Sequence, residues 1–164
     1  MGTVQSLSLI LVFSSKQSKW PEGFAILERN MKQTDFLQVK RGTHGLGLFT
    51  NQSYKKGDRV TEYTGEKIST DTANDRGGQY LFELNSNWVI DGRGREHLAR
   101  YINHSCRPNC YPEIDEKEEH ITIYAKRKIL PGEELTYNYG KEFWKTYVAS
   151  KGCRCTHCQV TMSI

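Results

Sequence analysis

Apolar and polar residues alternate in short runs along most of this chain, and glycines or small polar clusters break each run. "FLQVKR" predicts a strand, and "THGLGLFT" a glycine-broken turn leading into another. "DRVTEYTGEKIS" continues the β pattern, and Ser69 is placed to cap a short helix over "TDTANDR". "QYLFELNSNWVIDG" predicts a hairpin that turns at Asn85–Asn87, and "EHLARYI" a short helix. In "EHITIYAKRKI" the alternation puts Ile121, Ile123 and Ala125 on one face. "LPGEEL" reads as a turn, and the tail from Lys141 starts aromatic and ends rich in cysteine. Many short strands with few helices predict a mostly-β fold of small sheets. No βαβ spacing occurs, which argues against a doubly wound sheet. The apolar run "LSLILVF" near the N-terminus is too short to span a bilayer and no basic stretch precedes it, so it reads as a strand or a loosely attached arm.

Composition narrows the classes. A chain of 164 residues with 37% hydrophobic and 26% charged residues is expected to form one soluble domain with a real core. The net charge of +4 is mild and its lysines and arginines are scattered, so direct nucleic-acid binding is not expected. No membrane partner is expected either, and the chain is expected to be a monomer. Five cysteines, three of them within the last dozen residues, fit reduced thiols and a metal better than a secreted disulfide framework.

The densest chemistry lies in "RYINHSCRPNC", Arg100–Cys110. His104 and Cys106 are two residues apart, which in an extended segment puts both on one side. A Cys–His nucleophile would also need an oxyanion site and a group to orient the base, and nothing local offers either. The glycines at 42, 45 and 47 lead into a strand and not a helix, so they permit positive φ or a close approach to the backbone, not a dinucleotide fingerprint. Tyr137 and Tyr139 in "PGEELTYNYG" share one face of an extended segment.

Taken together, these residues resemble a family. "RYINHSCRPN" followed by "GEELTYNYG" is similar to the paired C-terminal motifs of SET-domain protein lysine methyltransferases. "THGLGLF", "EYTGE", "QYLFEL" and "VIDG" resemble that family's earlier motifs in the same order, and "CRCTHC" its post-SET cysteine cluster. The likeness covers roughly residues 35–158. Departures are small: Glu96 and His97 stand where Gly-Asn is frequent, and Asn138 where Asp is common.

The resemblance implies several small β-sheets with a C-terminal pseudoknot and a short zinc-binding post-SET tail. It divides the chain into an N-terminal extension (1–34), a SET domain (35–140) and a post-SET region (141–164). It implies methyl transfer from S-adenosylmethionine to a lysine in a protein, with a histone tail as the default substrate and the nucleus or chromatin as the setting. Implied cofactor contacts are His44, Gly45, Leu46, Gln79, Tyr80, Arg100, Asn103, His104, Tyr139, Phe143 and Arg154. Tyr139 takes the place of the catalytic tyrosine, Tyr63 lines the lysine channel, and Tyr137 favours mono- or dimethylation. Ser105 reads as a hydrogen-bond donor in its turn. Cys106, Cys153, Cys155 and Cys158 are the implied zinc ligands, with His157 a lesser candidate and Cys110 a buried apolar residue. A catalytically silent module that acts as a zinc-stabilised chromatin- or protein-binding domain is the alternative. A zinc-based nucleic-acid binder is disfavoured by the low charge and the missing recognition helix.

Overall fold

The computed structural model describes residues 33–42, 45–148 and 152–161, all within the unit Lys32–Ile164. The N-terminal apolar run lies outside them. Ten strands form four small sheets among the described residues. β1 (Leu37–Gly42) and β2 (Gly45–Thr50) make an antiparallel hairpin in which Gly42 faces Gly45, and Gly45 turns the chain at φ +105°. β3 (Arg59–Glu62) starts the next sheet, and β4 (Glu66–Ser69) leads into a helix over Thr70–Arg76. Ser69 caps this helix as expected, its Oγ accepting from the Thr72 N–H at 3.1 Å.

β5 (Leu81–Glu83) and β6 (Trp88–Asp91) form the predicted hairpin, and β6 also pairs with β4 in the order β4-β6-β5. The side chain of Asn85 closes the turn by accepting from the N–H groups of Asn87 and Trp88, both at 3.0 Å. "EHLARYI" contributes one 3-10 turn, Leu98–Tyr101. β7 (Asn103–His104) follows it directly. β8 (Cys110–Asp115) and β9 (His120–Ala125) pair with β3 in the order β3-β9-β8. The tail is more helical than its sequence suggests: a turn of α-helix (Lys141–Phe143) continues as a π-turn (Trp144–Val148), and a last helix covers Thr156–Thr161.

The core sits between the sheets. Ile121, Ile123 and Ala125 are fully buried, as their alternation predicts, and they meet Leu48, Val60, Leu84, Ile102, Ile129 and Leu135. Each such aliphatic side chain removed from water is worth roughly 1.5–3 kcal/mol. A smaller cluster of Ile68, Ala73 and Val89 fixes the Thr70–Arg76 helix on its sheet.

Two features carry the chain to the site. β10 (Thr136–Tyr137) pairs in parallel with β7, Thr136 against Asn103 and Tyr137 against His104, so two segments far apart in sequence lie side by side. Asn109, buried just beyond β7, clasps the incoming strand: its Nδ2 donates to Glu134 O at 2.8 Å and its Oδ1 accepts from Thr136 N at 2.8 Å. This is the crossing that a pseudoknot requires.

The second feature is a carboxylate at the end of β6. Asp91 is 2% exposed and receives the Arg93 Nε at 2.7 Å, the Arg93 N–H at 3.2 Å and the Arg76 Nη1 at 3.3 Å; Arg76 also holds Glu66. Burial alone would raise the Asp91 carboxyl, but Arg93 and Arg76 outweigh it and hold it below the usual carboxylate range. A carboxyl lowered on folding stabilises fully above its unfolded value, near 4, and loses that contribution as pH falls through its folded value. Asp91→Asn is therefore expected to cost about 1–3 kcal/mol at pH 7 and clearly less at pH 3. Urea unfolding at both pH values checks this, and equal losses would contradict it.

Candidate active site and cysteine cluster

The β7–β10 crossing opens onto a cleft of about 1060 Å³. β3 runs straight into Tyr63, β5 supplies Phe82, β10 ends on Tyr137, and Tyr139 follows two residues on. Their rings form a continuous series: Tyr63 to Phe82 at 5.1 Å, Phe82 to Tyr137 at 6.1 Å, Tyr137 to Tyr139 at 4.9 Å and Tyr139 to Phe143 at 4.6 Å, edge-on. Burial raises the phenols of Tyr63, Tyr137 and Tyr139 above their usual value, and the neighbouring phenols add to it for Tyr137. At neutral pH these hydroxyls are therefore hydrogen-bond donors and not bases. Tyr63 donates to Tyr80 O at 2.9 Å, and Tyr139 to Ile102 O at 2.7 Å. Each oxygen keeps its lone pairs free to accept.

The polar groups come from the 3-10 turn Leu98–Tyr101 and from β7. Arg100 stacks on Tyr80, its guanidinium carbon 3.9 Å from the ring centre, while its buried Nε has no partner among the described residues. Asn103 donates through Nδ2 to Leu46 O at 3.1 Å and to Glu134 Oε1 at 2.7 Å. His104 takes the Tyr139 N–H on Nδ1 at 3.3 Å, so its hydrogen sits on Nε2, 3.6 Å from the Cys106 sulfur. Burial holds this imidazole below its usual value, which keeps it neutral at pH 7.

Of the residues singled out from the sequence, Leu46, Tyr63, Gln79, Tyr80, Arg100, Asn103, His104, Tyr137, Tyr139, Phe143 and Arg154 all line this one cleft. Gly45 does not line it but makes the turn beneath Leu46. His44 lies outside the described residues. Ser105 does both in its turn: its N–H donates to Tyr137 O at 3.1 Å and its Oγ accepts the Arg107 N–H at 3.1 Å. Phe82, Asn109 and Glu134 were missed. Phe82 was one apolar residue among many in its strand, and the side-chain partners of Asn109 and Glu134 are 25 or more residues away.

Beside the cleft, Cys106, Cys153, Cys155 and Cys158 bring four sulfurs within 4.8 Å of one another, a group that could hold a metal ion. The Cys106 sulfur is 3.7 Å from that of Cys153 and 3.5 Å from that of Cys158, and no disulfide joins them. His157 is not in the group, and Cys110 is fully buried elsewhere in the core. Burial opposes ionisation of Cys155, but backbone N–H donors, that of Cys106 at 3.5 Å among them, bring its thiol down to about 6. Burial and the adjoining sulfurs push Cys106 the other way. The Cys155 thiolate thus forms readily while the Cys106 thiol resists.

The family model described as SET domain matches residues 45–140. The chain is 37% identical to the histone-lysine N-methyltransferase trithorax of Drosophila virilis over an alignment of 147 residues that covers 79% of the chain. It is 41% identical over 123 residues to the histone-lysine N-methyltransferase MEDEA of Arabidopsis thaliana, and 39% over 127 residues to the histone-lysine N-methyltransferase, H3 lysine-4 specific, of Schizosaccharomyces pombe. These matches cover 70% and 71% of the chain. The matched regions make up 4%, 17% and 14% of the three relatives' own lengths.

Proposed function

This chain belongs to the SET-domain family, and we propose that it is a protein-lysine N-methyltransferase that uses S-adenosylmethionine and acts on histone tails at chromatin. The observation that carries the reading is the convergence of the Tyr63–Phe82–Tyr137–Tyr139 aromatic wall with Arg100, Asn103 and His104 in one cleft. Relatives named as histone-lysine N-methyltransferases support the substrate class. In this reading residues 1–34 are an N-terminal extension, 35–140 the SET domain and 141–164 the post-SET region, acting as a monomer without direct nucleic-acid contact.

When bound, S-adenosylmethionine supplies a methyl group that the lysine nitrogen takes by displacement, the C–N bond forming as the S–C bond breaks and its electron pair stays on sulfur. The chain's residues prepare that attack. A free lysine amine has a pKa near 10.4. Tyr63, Phe82 and Tyr137 enclose the amine in low-polarity surroundings that favour its neutral form, and its proton leaves to water. Neither the raised phenols nor His104, engaged on both nitrogens, is placed to serve as a base. Tyr139, fixed on Ile102 O, aligns the reacting atoms. Leu46, Gln79, Tyr80, Arg100, Asn103, His104, Phe143 and Arg154 would hold the cofactor, together with His44 and Gly45.

The four cysteines fit zinc. A Zn–S bond of about 2.3 Å puts tetrahedral sulfurs roughly 3.8 Å apart, near the 3.5 and 3.7 Å found here. A dication would also offset the burial and the adjoining sulfurs that push Cys106 up. The cluster would anchor the tail, which carries Phe143 and Arg154, against β7.

Incubation with tritiated cofactor and core histones, followed by mass-spectrometric site mapping, is expected to show methylated lysine. Tyr139→Phe should lose roughly a hundredfold in rate. Cofactor binding without transfer would instead favour a silent, zinc-stabilised binding module. The Tyr137 hydroxyl is proposed to limit the product to mono- or dimethyllysine, so Tyr137→Phe should shift peptides toward higher methylation; an unchanged product distribution would refute that role. Elemental analysis should find about one zinc per chain, largely lost in Cys106→Ser, and full zinc in that variant would rule out the four-sulfur site.

A further inference from the structure

Glu134 takes no part in the reading above, yet its carboxylate reaches Asn103. It gets there across the β1–β2 hairpin at two glycines. A Cβ at Gly47 would overlap Glu134 Oε1 and come within 3.2 Å of Asn103 Nδ2, and one at Gly42 would sit 3.0 Å from Oε2. The path is held from both sides. Leu135 N donates to Leu48 O at 2.7 Å, and Asn109 Nδ2 to Glu134 O at 2.8 Å. Gly47 therefore matters for its missing side chain and not for a left-handed turn.

The consequence falls on Asn103. Its Nδ2 meets two groups that can only accept, the Leu46 carbonyl and the Glu134 carboxylate, so the amide is fixed with nitrogen toward them. Oδ1 is left as the remaining polar atom, on a residue that lines the cleft. An oxygen held this way accepts and cannot donate, which suits an ammonium and rejects a carboxylate. We infer that Glu134, passing through the gap at Gly47, is a positioning residue that orients the Asn103 amide to receive the ammonium at the amino-acid end of the cofactor. This rests on the methyltransferase reading and goes beyond it by assigning what sets the polarity of that subsite.

Calorimetric titration with two probes tests it: S-adenosylhomocysteine, which carries the ammonium, and methylthioadenosine, which lacks the amino-acid end. Glu134→Ala is expected to weaken S-adenosylhomocysteine about tenfold, the worth of one hydrogen bond to a charged group, and to leave methylthioadenosine within about twofold. Glu134→Asp keeps the charge but shortens the reach, and should behave like Glu134→Ala. Glu134→Gln keeps both the reach and an acceptor, and should bind S-adenosylhomocysteine within about threefold of the parent. In an Asn103→Ala background, Glu134→Ala should cost nothing further. Equal weakening of both probes would overturn the inference in favour of a general structural role. Normal binding by Glu134→Asp with loss in Glu134→Gln would overturn it in favour of charge alone. Failure of the parent chain to bind either probe would overturn the methyltransferase reading itself, and this inference with it.

Discussion

The parallel pairing of Asn103–His104 with Thr136–Tyr137 is the contact on which the rest depends. It is only two residues long, too short to hold by ladder hydrogen bonds alone. Buried Asn109 reinforces it by satisfying one donor and one acceptor of the crossing strand, a bond pair whose loss would leave buried main-chain groups unpaired. Once the crossing is made, Asn103 and His104 face the cleft from one strand, and Tyr137 and Tyr139 from the other. Cys106, two residues past the pair, is then carried toward the cysteines of the tail.

His104 joins these two halves. One ring nitrogen accepts the Tyr139 N–H and the other faces the Cys106 sulfur. A proposed metal ligand and the proposed catalytic tyrosine thus share one imidazole. The histidine that first suggests a base is spent on geometry, and the nucleophile of the proposed reaction comes from the substrate. Phenols raised by burial fit the same division, since they serve as fixed donors and as walls that exclude water.

Much of the fold was legible because its signals are local. The Ile121–Ile123–Ala125 face, the Ser69 cap and the turn closed by Asn85 each depend on neighbours within a few residues. The helical turns of the tail were not legible, because their aromatic and cysteine-rich sequence has no clear apolar period. Most of the candidate residues that the resemblance supplied line one cleft, while Gly45 is not among the lining residues and turns the chain at φ +105°. Glu134 and Asn109 escaped notice because nothing near them in sequence records a side-chain partner on another strand.

The sequence by itself determined the short strands, the breaks between them and the set of chemical groups available: three thiols in the tail and two in Arg100–Cys110, a run of aromatics and an asparagine–histidine pair. Those follow from alternation and turn chemistry, which act over a few bonds. The tertiary structure alone decided which groups meet. It gathered Cys106 with the three tail sulfurs, set His104 beside the Cys106 sulfur, and ran the Glu134 carboxylate through the space left by Gly47 to fix Asn103. Such meetings are set by where the chain crosses itself, and a crossing is a property of the closed fold that no local periodicity encodes.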